Sequence, residues 1–324
     1  MKPLLKWTGG KTSELLIIKQ NLPEYTRYIE PFLGGGAVFF DQEKTSVVND
    51  FNYELISFYD MDDDNFNRFY DIIYKLDEMR KNAVSYQLNS ENFISFIEKN
   101  FPELKQFGQK EYQRKLAMIK KHGIDLNDHI LWSSAFCATQ YYWCRNEYNK
   151  RHNNVFHISL WFIMRELAYS GMFRFSSKGI FNVPYGGQSY DNKDLLKKIN
   201  YIKEVRQKNF YKNTEFNNMD FENFFEKYNY FNENDFIFLD PPYDSAFSQY
   251  NVEEDFDRSH QVRLKNCLIK TKAKFMLIVK NTEMMQELYN DILDFNLSLF
   301  DKDYLVNFKN RNKKSVKHLM VKNY

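Results

Sequence analysis

The chain has 324 residues and a mass of 39.3 kDa, enough for one large domain or a domain carrying an elaborate insertion. Apolar residues make up 43% and charged residues 27%, and no run approaches the roughly 18 uninterrupted apolar residues of a membrane helix. A formal net charge of +2 announces no acidic or basic partner, so the distribution of charge matters more than its sum.

The N-terminal stretch MKPLLKWTGGK lacks an apolar core of signal-peptide length, which argues against export. Cys137, Cys144 and Cys267 are odd in number and form no CxxC pair, as expected of a reducing, cytoplasmic compartment. The six histidines are scattered, so no metal site is expected. Lysine and arginine gather at 145–152, 197–212 and 309–317. Each cluster reads either as a solvated surface or as a phosphate-binding patch.

In chain order, KWTGGK comes first. It lacks the leading glycine of a phosphate-binding P-loop, but it sets Trp7 and Lys11 around a tight Gly-Gly turn. An apolar face and a cation there suit a ligand bearing an adenine and a carboxylate. YIEPF (28–32) reads as a strand, and GGGAVFF as a turn into a helix. Glycines after a strand permit close backbone approach to a ligand, with Glu30 as an acceptor at the strand end; a plain tight turn is the other reading. SVVND (46–50) is a second strand, ending on Asn49 and Asp50, where nucleotide-binding sheets present an acid to ribose hydroxyls. A ribose contact without a full pyrophosphate cradle fits S-adenosylmethionine better than a dinucleotide.

From 56 to about 170 the pattern is mostly helical, with Phe66, Phe69, Tyr70, Ile73 and Leu76 spaced for one packed face. SGMFRFSSKGIFNVPYGG (170–187) then reads as an irregular hairpin with Arg174 and Lys178 at its edge. FIFLD (236–240) and KFMLIVK (274–280) are predicted strands around a helix that places Leu264, Cys267 and Leu268 on one face. LSLFDKDYLVNF and SVKHLMVKNY flank the polar KNRNKK as a terminal β-hairpin. Alternating strands and helices at both ends predict an α/β, Rossmann-like catalytic domain split over 1–55 and 190–324, interrupted by a mainly helical insertion over 56–189.

FIFLD runs directly into DPPY, residues 240–243. An exocyclic amine conjugated to an aromatic ring is a poor nucleophile, because its lone pair is delocalised. Hydrogen bonds from its N–H groups to a carboxylate and a carbonyl return density to nitrogen. Asp240 and the Pro241 carbonyl suit that task, and two prolines in succession restrict the backbone that presents it. Tyr243 offers a flat face on which a base can stack, worth roughly 1 to 3 kcal/mol. That offsets part of the few kcal/mol needed to rotate a base out of a duplex. A rigid turn capped by Asp240 is the structural alternative.

KWTGGK, EPFLGGGAVFF, the Asn49-Asp50 strand end, GIFNVPYGG and DPPY, in that order, resemble the motifs of the Dam-like, alpha-group DNA adenine N6-methyltransferases. LAYSGMFRFSSKGIFNVPYGG and DPPYDSAFSQY are most similar to the branch accompanying type IIS restriction enzymes. The resemblance implies methyl transfer from S-adenosylmethionine to adenine N6 in double-stranded DNA by base flipping, within a restriction-modification system. It implies a cofactor site of Trp7, Lys11, Glu30, Phe32, Gly34, Asp50 and Asp240, and a catalytic set of Asp240, Pro241, Pro242 and Tyr243. Lys6, Arg174, Lys178 and Pro184 would lie at the DNA, and Lys309, Arg311, Lys313 and Lys314 would grip phosphates. The insertion would be a target-recognition domain, and a cognate restriction endonuclease would share the site. Ala246 departs from the pattern, standing where an acid is expected. No Pro-Cys dipeptide of the cytosine C5 type occurs. Cytosine N4 methylation and a catalytically silent, cofactor-sensing DNA-binding protein are the alternatives.

Overall fold

A computed structural model describes residues 1–242, 256–303 and 315–324. The chain divides into two compact units: Met1–Asp60 combine with the described residues from Glu204 onward, and Met61–Lys203 form the other.

The first unit holds a sheet of β1 (Arg27–Glu30), β2 (Ser46–Asn49), β3 (Glu215–Asn217), β4 (Asp235–Leu239), β5 (Lys274–Lys280), β6 (Asn296–Asp303) and β7 (Ser315–Lys322). Their order is β3-β2-β1-β4-β5-β7-β6. The first five are parallel, with Ile29 beside Val47 and Ile237, and Phe238 beside Met276. β7 runs antiparallel to both neighbours, pairing Ile278 with Met320 and Leu299 with Leu319.

β4 is buried at every position, and β5 at every position from Phe275 to Val279. Such continuous apolar runs are what a strand covered on both faces requires. Alternate residues Ile237, Leu239, Phe275, Leu277, Val279, Leu319 and Val321 pack with Phe221 and Phe224 of the helix Phe221–Lys227 and with Leu264 and Leu268 of the helix Arg258–Lys270. In that second helix Gln261 is buried alongside Leu264 and Leu268, while Cys267 is only half-buried. Phe236 faces the other way, against Tyr25 and Tyr28. β3 has no counterpart in the sequence pattern; its three residues, Glu-Phe-Asn, are too short and polar to stand out.

The second unit is built on the helices Asp63–Ser85, Phe93–Asn100, Lys105–His122, His129–Tyr148 and Val155–Leu167. Side-chain caps from Asp62, Asp128 and Asn154 satisfy first-turn N–H groups and fix three of the starts. Phe66, Phe69, Ile73 and Leu76 are buried as their spacing predicts. Tyr70, at the margin of that stripe, donates to Asn200 Oδ1 at 3.0 Å. Phe93, Phe96, Ile97, Trp132 and Phe136 form a separate core, and Val155–Leu167 is buried continuously from His157 onward.

Phe238 is fully buried in the middle of β4. Phe238→Ala is expected to cost ~3 to 5 kcal/mol, seen as a lowered urea midpoint; an unchanged midpoint would show that this core does not limit stability.

Candidate active site

In a sheet of this order the connections reverse direction between β1 and β4, and ligands settle outside the carboxyl ends of the strands at that point. The predicted residues converge on this location. Glu30 closes β1, Asp240 follows β4, and Asp50 follows β2. Lys11, in the short turn Lys11–Ser13, is 2% exposed and forms an ion pair with Asp240 Oδ1, while Asp240 keeps 19% of its side chain exposed. Lys11 Nζ also donates to the Gly9 carbonyl at 3.3 Å. Pro241 is buried and Pro242 half-buried, so the backbone beyond Asp240 is held on the protein side.

The glycine turn is shaped by contact. Gly34 adopts φ +49°, in the left-handed region, and a Cβ on it would lie 3.0 Å from Trp7 Cδ1. A Cβ on Gly35 would lie 2.8 Å from Trp7 Cβ. Glycine is therefore required for the loop to lie against Trp7, which is half-buried there. Asp50 secures the same loop: its Oδ2 accepts from the Gly34 N–H at 2.8 Å, and its Oδ1 accepts from the Asn52 N–H at 2.9 Å. Asn49 is buried, and its amide donates to the Pro31 and Met219 carbonyls, each at 3.0 Å, so it stitches loops rather than facing a ligand. Phe32 is half-buried between Phe221 and Phe256, with ring centroids 5.5 and 5.7 Å away.

Burial raises the Glu30 carboxyl well above the usual carboxylate range, and the nearby charges of Asp240 and Asp50 push the same way. The Tyr28 hydroxyl, donating to Glu30 Oε2 at 2.8 Å, opposes that shift without cancelling it. Glu30 thus senses the carboxylates of both Asp240 and Asp50, and Lys11 pairs with the first of them. Phe51 was not singled out from the sequence. It follows Asp50 directly and is 67% exposed, and Asn218 Nδ2 fixes its backbone by donating to the Asp50 and Phe51 carbonyls at 2.8 and 3.0 Å. The signal was present: a large aromatic beside the strand-end acid.

The second unit carries the predicted hairpin. Phe175 bridges Phe181, Ala168 bridges Tyr185, and Gly179 turns the tip at φ +69°. Helix His129–Tyr148 and the residue that caps it grip the return strand: Tyr141 and Arg145 donate to the Val183 carbonyl at 3.0 and 3.1 Å. Asn149 exchanges two hydrogen bonds with the Phe181 backbone. Arg174, Lys178 and Pro184 stay exposed, and Arg174 Nε donates to Asn182 Oδ1 at 3.2 Å. Lys6 is exposed on the first unit. Tyr243, Ala246, Lys309, Arg311, Lys313 and Lys314 lie outside the described residues. Among the described residues, no cluster of His, Cys, Asp or Glu could hold a metal ion, and no helix is long and apolar enough to cross a membrane.

Comparison with known proteins shows the family. A family model described as D12 class N6 adenine-specific DNA methyltransferase matches residues 7–307. The chain is 27% identical to the type II methyltransferase M.CviBI of Paramecium bursaria Chlorella virus NC1A, with all of both chains covered. It is 28% identical to the type II methyltransferase M.MjaIII of Methanocaldococcus jannaschii, covering all of this chain and 99% of the relative. With the DNA adenine methylase of Escherichia coli K12 it shares 26% identity over 57% of this chain and 48% of that protein. The α/β sheet agrees with a methyltransferase that takes its methyl group from S-adenosylmethionine, and the family's specificity is for adenine N6 rather than cytosine N4. The chain belongs to the D12 class N6 adenine-specific DNA methyltransferases.

Proposed function

We propose that the crevice outside β1, β2 and β4 binds S-adenosylmethionine, and that Asp240 presents the flipped adenine's amino group to it. The observation that carries the reading is the Lys11–Asp240 ion pair, set at the switch point beside Glu30 and Asp50. The residues fit the cofactor. Gly34 and Gly35 let the turn after β1 pack directly on Trp7, which holds that turn at the strand ends. The carboxyl groups of Glu30, Asp50 and Asp240 suit its ammonium, ribose hydroxyls and cationic sulfur. Phe51, exposed next to Asp50, offers a face to the adenine ring.

When bound, S-adenosylmethionine supplies a methyl group activated by a positively charged sulfur. The protein's part is to raise the nucleophilicity of the target nitrogen. Lys11 holds one Asp240 oxygen and so fixes the carboxylate's orientation. Asp240 and the Pro241 carbonyl accept from the target N–H groups, and Tyr243 stacks on the base taken out of the duplex. Phe32 and Pro242 complete the wall.

The helical unit is the target-recognition domain, with Arg174, Lys178 and Pro184 of its hairpin at the DNA. Lys6 and the terminal-hairpin cations Lys309, Arg311, Lys313 and Lys314 contact phosphates, which position the duplex without reading it. The type II names of two full-length relatives support a place in restriction-modification, with a cognate endonuclease acting at the same site.

Three experiments test this. Asp240→Asn preserves an oxygen for Lys11 and removes the charge; transfer, followed as N6-methyladenine after nucleoside digestion, is expected to fall by about two to four orders of magnitude, with DNA affinity within a few-fold. Near-normal turnover in that variant would remove Asp240 from the mechanism. Arg174→Ala is expected to relax or lose sequence choice on a library of duplex sites; an unchanged preference would sink the hairpin assignment. The third concerns Glu30. A folded-state carboxyl raised above its unfolded value lends stability that is complete below about pH 4 and is lost as pH rises through the folded value. Relative to wild type, Glu30→Gln should therefore gain stability in urea between about pH 5 and about pH 8. A constant difference across that range would contradict the shift.

A further inference from the structure

We propose that a line of cations on the helical unit, running from Arg145 beside the hairpin to Lys110, Arg114 and Lys121, carries the phosphates of duplex DNA flanking the recognised base pairs. It rests on the assignment of the hairpin to DNA recognition, and it assigns a further surface on a helix that none of the sequence motifs touches.

The helix Lys105–His122, KQFGQKEYQRKLAMIKKH, has two chemically distinct sides. Gly108, Glu111 and Ile119 are buried, whereas Lys110, Arg114, Lys120 and Lys121 are exposed. Lys110, Arg114 and Lys121 stand at i, i+4 and i+11, which the 3.6-residue period places within about 40° of one another. The helix holds one acid, Glu111, and it is buried with Arg114 Nη1 3.3 Å away. A merely solvated helix face ordinarily mixes both signs. The exposed charged residues of this helix are all cations.

The face is also fixed in place and joined to the hairpin. Gly108 sits so close to the neighbouring helix that a Cβ would lie 2.6 Å from Ile97 Cδ1. Arg114 Nη1 donates to the Tyr142 hydroxyl at 3.4 Å, and the Arg145 guanidinium lies 4.8 Å from the Tyr142 ring centroid. Arg145 in turn donates to the Asn182 and Val183 carbonyls at 3.4 and 3.1 Å, and the Asn182 side chain accepts from Arg174. Three guanidinium groups are thus linked through Tyr142 and Asn182. A continuous run of one sign leading away from a base-reading loop matches the polyanionic backbone next to the target sequence.

The test uses the full chain carrying Lys110→Gln, Arg114→Gln and Lys121→Gln together. Equilibrium binding to a long duplex with the target site, and to a random duplex, is measured over roughly 50 to 200 mM salt. Expected are weaker binding to both duplexes and a log–log salt slope smaller by about 2 to 3, at ~0.9 per lost phosphate contact. Sequence preference and kcat at saturating DNA should not change. If the triple variant does not fold, Lys110→Gln with Lys121→Gln changes only exposed side chains and should lower the slope by about 2. An unchanged slope in the folded variant overturns the proposal, as does an affinity loss that does not depend on salt. Arg174→Ala run alongside keeps the readings apart: unchanged sequence choice there with a flattened slope here rejects the hairpin reading and retains the phosphate surface.

Discussion

The Lys11–Asp240 pair joins residues 229 positions apart in sequence, and the candidate site depends on it. Lys11 is only 2% exposed, and a buried cation is costly unless it is paired; Asp240 is its partner. That requirement draws the N-terminal turn against the end of β4. The same turn brings Trp7 onto Gly34 and Gly35, whose lack of side chains allows the approach. Asp50 then locks the glycine loop through the Gly34 N–H. One charge pair, with its lysine buried, therefore ties together a cluster at the ends of three strands.

The candidate site and the hairpin are held in different ways. Glu30, Asp50 and Asp240 sit at strand ends, restrained by burial, charge and hydrogen bonds. The hairpin is held by Tyr141, Arg145 and Asn149, which bond its backbone rather than its side chains. Such a grip fixes the path of the loop without constraining the identity of Arg174 or Lys178 at its surface. A scaffold of this kind lets the exposed residues change while the loop that presents them remains in position.

Much of the first unit was legible in sequence. KFMLIVK is a strand over all seven of its residues, because an apolar run of that length between polar flanks has few other stable outcomes. Glu30, Gly34 and Asp50 were visible because glycine permissiveness and strand-end acids leave a local signature. What sequence could not show was anything decided by a distant partner. Asn49 stands beside the strand-end acid in sequence, yet its amide is claimed by Pro31 and Met219, which no local pattern foretells. β3 exists because Phe216 finds Val48 across the sheet, not because its three residues favour a strand. The one-signed face of Lys105–His122 is diluted in a linear reading by Glu111, whose inward position only the packing reveals.

The stitch made by Asn49 has a consequence for how the protein is made. β2 and β3 are neighbours in the sheet, but the residues joined at their ends lie 170 positions apart, and the helical unit is encoded between them. On the ribosome β1 and β2 emerge before that whole unit, and β3 and β4, their neighbours in the sheet, only after it. The helical unit, encoded as one uninterrupted run from Met61 to Lys203, can fold during the interval. Sheet closure is thus a late, long-range event, and the cradle forms only when the last of its strands arrives.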